Sequence, residues 1–348
     1  MPARPVDAER LARDLLALYT DAEVRVLEIV ASDLAKDIYT AEWAEIKLVE
    51  LGKVKARLEV LVRDLIKKTP TVATATIRKA YTGGQDSIEQ DLKKALRGTV
   101  KTGFGMIDER KVVTMSRALS GTLEGTHLRI VRQAVDEYRT IVGKASEFIQ
   151  MGVYTREQAT QVALNQFADR GITGFVDKAG RNWSLLSYVE MATRTTAGQA
   201  AVEGALQRMR DNDYDLVMIS FHADSCPLCE PWQGQVVSIS GRDEQYDSLQ
   251  EAVDDGLFHP NCGHSLGAFI DGLTEKPTQE QTDRGDYEES QRQRKLERDI
   301  RKWKKREAVA ITDSEKLKAS AKVREKQSNM REFILETGRK RQRDREQI

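Results

Sequence analysis

The sequence predicts a mainly α N-terminal helical region, then a small α+β module built around a cysteine and histidine knuckle, then a helical, basic C-terminal tail. Three observations carry this reading. Apolar residues recur at helical spacing through the first half. All three cysteines and two of the four histidines fall in one short window, and the charge is unevenly spread along the chain. The regions divide at 1–170, 171–272 and 273–348.

Of the 348 residues, 40% are apolar but only 6% aromatic, against 32% charged, so the core is modest and the helical surface large. The formal net charge is zero, yet residues 290–348 hold 20 Lys and Arg against 10 Asp and Glu. A neutral total thus hides a basic tail and an acidic remainder. No apolar stretch approaches the roughly 20 residues that cross a bilayer, and the N-terminus, Met1-Pro-Ala-Arg-Pro-Val-Asp, lacks a signal-peptide apolar segment. The expectation is a soluble protein with no membrane partner, made in a reducing compartment. The glycosylation sequon at Asn182-Trp-Ser184 is then fortuitous.

From Val6 to about Lys68 the spacing of Leu11, Leu15, Leu18 and Ala22, then of Leu51, Val54, Leu58, Leu61 and Leu65, predicts two or more long amphipathic helices. These suit an intramolecular bundle or docking on a partner. Thr69-Pro70 is expected to stop the second, because proline disfavours helical geometry in its predecessor. Thr82-Gly-Gly84 is expected to interrupt again before a helix over Asp86–Leu96. Gly98, Gly103 and Gly105 signal a loop; Gly103-Phe-Gly105 follows no strand and lacks a third glycine, so it is no nucleotide fingerprint. Further helices are expected over Ile107–Leu119, Thr126–Met151 and Thr155–Ala168, the last opened by Thr155 with Glu157 in its first turn.

The texture changes at Gly171. A hairpin is expected across Gly171–Trp183, then a helix capped by Ser184 and running to about Met209. Tyr214–Phe221 reads as an apolar strand leading into the knuckle, Val236–Ser240 as a second strand, Ser248–Val253 as a short helix and Ser265–Ile270 as a third strand. After Gly272 a charged linker leads to helices over Arg292–Arg306 and Glu315 to about Glu336. The thin apolar stripe of the latter, Val323, Met330, Phe333 and Ile334, predicts that the tail lies along the rest of the protein or waits for a partner. Its charges would either pair at i,i+4 spacing, with Glu297, Asp299 and Glu307 interleaved, or stand free to meet phosphate.

The knuckle consists of Cys226-Pro-Leu-Cys229 and His259-Pro-Asn-Cys262-Gly-His264. A C-x₂-C turn places two sulfurs about one metal, and a second ligand pair completes a tetrahedron, the arrangement favoured by structural zinc. Cys226, Cys229 and Cys262 are the first candidates, with the fourth position open between His259 and His264; His222 is a weaker one. Three cysteines suit no disulfide framework. A closed set of four nitrogen and sulfur ligands leaves no place for a reactive water, so the expected zinc is structural and no residue is assigned a catalytic role. Glu230 and Asp224 are near enough in sequence to serve as a base in a catalytic version. The P-loop, G-x-S-x-G and H-E-x-x-H motifs are all missing.

Several separated segments together resemble a known family. They are Asp177-Lys-Ala-Gly-Arg-Asn-Trp-Ser184, Glu190-Met-Ala-Thr-Arg-Thr195, Asp215-Leu-Val through Cys226-Pro-Leu-Cys229-Glu-Pro-Trp-Gln-Gly234, and Leu257-Phe-His-Pro-Asn-Cys262-Gly-His264. In the tail, Gln291–Arg298, Ile300-Arg-Lys-Trp-Lys304, Arg331-Glu-Phe-Ile, Thr337-Gly-Arg339 and Arg345-Glu-Gln-Ile348 follow in order. The chain resembles phage minor capsid proteins of the second type, related to the phage Mu F-like head-morphogenesis proteins, closely from about 171 to 348 and loosely before. The resemblance implies a non-enzymatic virion protein, made in the host cytoplasm and housed inside the capsid near the portal, acting in head morphogenesis and genome packaging or delivery. Its implied partner is the portal protein, with the major capsid protein and, through residues 290–348, packaged double-stranded DNA as further candidates. Related domains often end this motif Cys-x-Cys where this chain has Cys262-Gly-His264, which raises His264 as the fourth ligand. The competing readings are a zinc-stabilised nuclease or nucleic-acid-processing enzyme, and a free DNA-binding regulator.

Overall fold

The computed structural model describes residues 8–97, 107–152, 154–173, 175–176, 182–221, 225–275 and 284–348. It is mostly helical with a small three-stranded sheet. In order come α1 (Ala8–Ala35), α2 (Trp43–Leu96), α3 (Glu109–Gln150), α4 (Arg156–Arg170), β1 (Phe175–Val176), β2 (Asn182–Trp183), α5 (Leu185–Asp211), β3 (Leu216–Ile219), β4 (Val236–Ser238), α6 (Leu249–Asp254), β5 (Leu266–Ala268), α7 (Arg284–Ala308) and α8 (Asp313–Thr337). The glycines of 98–105, as well as His222 and Asp224, lie outside the described residues.

The local signals place most of these elements. Thr155 caps α4 in a reciprocal box with Gln158, Glu157 sits in its first turn, and Ser248 caps α6 in a box with Glu251. The hairpin β1–β2 pairs Phe175 with Trp183. Two expected breaks are absent. α2 runs through Pro70 and through Gly83 and Gly84 without ending. Its buried positions, Leu58, Val62, Leu65, Thr69, Ala73, Ile77 and Tyr81, continue at three- and four-residue steps across the proline. Each large apolar side chain buried on that stripe contributes about 1.5–3 kcal/mol, which together outweighs the roughly 3 kcal/mol cost of one interior proline. α3 likewise joins the two helices expected on either side of Gly121 and Gly125, with Leu119, Leu123, Ile130 and Ala134 buried in phase.

The chain divides into two compact units, each drawn from three stretches. Unit one holds Met1–Leu16, Thr69–Thr122 and Val189–Glu288; unit two holds Ala17–Lys68, Leu123–Tyr188 and Glu289–Ile348.

In unit one the antiparallel sheet has the order β4-β3-β5, with Val217 opposite Val237 and Ala268. Side chains alternate as strand geometry requires. Val217 and Ile219 join Ile88, Leu92, Met209 and Val237 in one core, while Met218 packs with Val236 and Phe269 on the other face. The glycines of α2 have a different use from the expected interruption. A Cβ on Gly84 would lie 1.9 Å from the Ala201 carbonyl oxygen, and one on Gly204 would lie 2.0 Å from that of Tyr81. They allow the backbones of α2 and α5 to touch.

In unit two, Tyr19, Leu27, Leu34, Trp43, Leu58 and Tyr138 are fully buried. The tail is part of this unit's packing. Ile300 of α7 and Met330 and Phe333 of α8 form a buried cluster, and Gln161 of α4 accepts from Ile311 N–H at 2.8 Å. Lys318 and Lys322 pair at i,i+3 within α8, but several cations of α7 pair with other elements. Lys305 binds Glu23 of α1, and Lys302 and Arg306 share Asp169 of α4. Glu23 is wholly buried and also accepts from Ile172 N–H at 3.0 Å.

Candidate metal centre

Two loops of unit one meet at the end of its sheet. The first leaves β3 and folds at Cys226-Pro-Leu-Cys229, where the Cys226 carbonyl accepts from Cys229 N–H at 3.1 Å and Glu230 N–H at 3.0 Å. A 3-10 turn over Glu230–Trp232 carries Pro231 in its first turn, and Gly234, at φ 69°, reverses the chain into β4. The second loop follows α6. Phe258 at φ 61° and Asn261 at φ 68° take left-handed conformations, and Cys262 N–H closes a turn onto the His259 carbonyl at 2.9 Å. Ser220 N–H to Ser265 O and Ser265 N–H to Ser220 Oγ, each 2.9 Å, hold the feet of the loops together.

These turns bring all five sequence candidates together. Cys226, Cys229 and His259 form one group and Cys229, Cys262 and His264 another, the donor atoms of each within 4.8 Å of one another. Cys226 Sγ lies 3.0 Å from His259 Nε2, Cys229 Sγ 3.6 Å from Cys262 Sγ, and Cys262 Sγ 3.4 Å from His264 Nδ1. A tetrahedral zinc at ordinary bond lengths would separate two sulfurs by about 3.8 Å and a sulfur and a nitrogen by about 3.6 Å. Each of these neighbouring pairs suits such an ion, with a small expansion between Cys226 and His259. The donors, however, stand in two groups of three that share Cys229, and gathering Cys226, Cys229, Cys262 and one imidazole about a single ion requires the two groups to close on each other. Neither group contains a carboxylate, so Glu230 is not drawn in.

Hydrogen bonds on the far side of each imidazole aim it. His259 Nδ1 is 2.8 Å from the Pro260 carbonyl, which accepts only if that nitrogen carries the proton, leaving the Nε2 lone pair toward Cys226. His264 Nε2 faces the Gln233 Oε1 at 3.2 Å, leaving Nδ1 toward Cys262. Such outer partners fix tautomer and ring orientation in metal sites. Gln233 is buried, as is His264, whereas His259 is half-buried. Cys229 is buried and Cys262 half-buried beside it. A hydrogen bond from the Cys229 thiol favours the Cys262 thiolate and lowers its pKa, against the opposing effect of burial. Thiolates are the form a metal takes up.

Sequence reading missed the supports. Thr195 Oγ1 accepts from Asn261 N–H at 3.2 Å and donates to the Met191 carbonyl, pinning the histidine loop to α5. Asp215 accepts from Ser238 and Ser240 beside β4; burial alone would raise its carboxyl pKa, yet these hydrogen bonds prevail and lower it. Thr195 and Gln233 both lie in segments that carry the family resemblance, so a signal existed without a role attached.

The comparisons with known proteins agree with that resemblance. The family model described as phage minor capsid protein 2 matches residues 4–335, which takes in the N-terminal helices where the resemblance is loose. A "Structural protein" of Lactococcus phage LL-H is 25% identical over 324 residues, covering 86% of this chain and 87% of its own. No solved structure matches. The chain belongs to the phage minor capsid protein 2 family.

Proposed function

We propose that this minor capsid protein is a non-enzymatic component of the virion, located inside the capsid near the portal vertex, where it acts in head morphogenesis and genome packaging or delivery. In this reading unit one is stiffened by a structural zinc ion, held by Cys226, Cys229 and Cys262 with His259 or His264 as fourth ligand. The observation that supports it best is the cluster of soft donors. Three sulfurs and two aimed imidazoles stand in two groups of three joined at Cys229, enough to fill four positions about one ion once the groups close together. The ion would cross-link two loops that already meet in one core through Cys229, Trp232, Leu257 and Phe258, and would supply no chemistry.

The portal protein is the proposed partner, approached by the long helices, with the major capsid protein beside it. Contact with packaged double-stranded DNA through residues 290–348 would fall to exposed cations such as Arg298, Arg324 and Arg331, since Lys305, Arg306 and Arg341 are engaged with carboxylates. Zinc analysis of purified protein, combined with co-purification against the portal protein, tests the reading. One equivalent of zinc and a stable complex support it. Metal-free protein with no portal affinity would overturn it. Nucleic-acid cleavage lost on His259→Ala would favour the nuclease instead.

A further inference from the structure

Within unit two, α2 and α3 wall a groove of about 700 Å³ between Lys55–Ile66 and His127–Arg139. Val62 and Val135 are buried in it, and Leu128, 81% exposed, and Ile66, 43% exposed, stand above them. An exposed leucine over an apolar trough is a surface that gains by being covered. His127 adds a polar mark. Its side chain is 3% exposed, Nε2 meets the Tyr19 hydroxyl at 2.8 Å, and the buried Nδ1 has no partner.

The charge of the rim is biased. Four cations, Lys55, Arg63, Arg132 and Arg139, face two carboxylates, Glu59 and Asp136. The pairs among them are long, 3.7 Å for Lys55–Glu59 and 3.6 and 3.9 Å for Asp136 with Arg139 and Arg132, all between well-exposed side chains. Arg63 has no ion pair among the described residues. Such pairs are easily exchanged for others.

We infer that this groove receives an acidic amphipathic helix of a partner protein, its apolar face on Leu128 and Ile66 and its carboxylates toward Arg63, Arg132 and Arg139. The walls run about 17 Å at 1.5 Å per residue, three turns of a helix. That length matches anchors at i, i+3 or i+4 and i+7. A nucleic acid would have no use for the exposed leucine. The chain's own helices α7 and α8 together carry a net positive charge, which makes a second copy's tail a poor occupant. This site is separate from the metal centre and stands whether or not zinc binds.

Fluorescence anisotropy with two labelled peptides of about 14 residues tests it, one a leucine-faced helix flanked by glutamates and the other identical but flanked by lysines. On the full chain the glutamate peptide should bind about tenfold or more tightly than its lysine twin, and Leu128→Asp should weaken it by a similar factor. Reversing the rim with Arg63→Glu and Arg132→Glu should invert the preference. Leu128 is exposed enough that its replacement should leave the circular dichroism spectrum unchanged. Equal binding of the two peptides, no binding of either, or indifference to Leu128→Asp would overturn the inference. Concentration-dependent self-association abolished by Leu128→Asp would overturn it too, by making a second copy the occupant.

Discussion

The metal-knuckle end of unit one and the tail-bearing part of unit two achieve order by opposite means. The knuckle loops adjoin strands of three or four residues and bring five sulfur and nitrogen donors into two groups that share Cys229. The tail helices are long and are tied to α1 and α4 by charge pairs that reach into buried positions. A bound metal would add strong, local bonds to loops whose apolar side chains, Trp232 and Leu257 among them, already pack into the core of unit one. Helices with a thin apolar stripe instead need specific partners for the charges that their packing removes from water.

The largest expected effect tests the knuckle. Cys226→Ser combined with Cys229→Ser should abolish zinc binding and destabilise unit one by more than about 4 kcal/mol, the range associated with loss of a structural metal. Metal analysis and thermal unfolding with and without chelator would measure it. Unaltered unfolding would remove the contrast between the regions altogether. Next comes Lys305→Met, which leaves Glu23 buried without its cation and should cost about 3–5 kcal/mol in urea unfolding. Adding Glu23→Gln should recover much of the loss; if the double variant is as unstable as the single, the pair matters through packing and not charge.

A smaller effect sharpens the picture of unit one away from the metal. Gly84→Ala or Gly204→Ala should cost about 1–3 kcal/mol, since each added methyl meets a backbone carbonyl that cannot turn aside. Chelation should leave that difference in place. The smallest effect appears as a pH slope. Glu297, 2% exposed, has its carboxyl pKa raised from 4.5 to about 7, chiefly by burial and against the pull of Arg301. The stability associated with its protonated form is present below pH 4.5 and lost as pH rises through about 7. Glu297→Gln should flatten that decline, leaving acid stability unchanged and raising stability at pH 8. A slope that survives the substitution would assign it to another group.

Legibility followed the range of the interaction. The cap at Thr155, the short helix from Ser248, the hairpin before Ser184, the three short strands and the Cys226/Cys229 turn were readable because each depends on neighbours within a few residues. Pro70 misled because the local rule against it was outweighed by a stripe of burial that only the fold reveals. Gly84 misled for a related reason: a glycine that permits contact and one that breaks a helix look alike until its neighbour is known.

The sequence by itself therefore determined the helical phases, the caps and which side chains were available to hold a metal, since these follow from periodicity and residue chemistry. Only the tertiary structure decided that Gln233 faces the nitrogen of His264 turned away from the sulfurs, that Thr195 anchors the histidine loop, and that tail cations pair with Glu23 and Asp169. Those contacts join residues far apart in the chain, where no local preference operates and the packing of whole elements sets the distance.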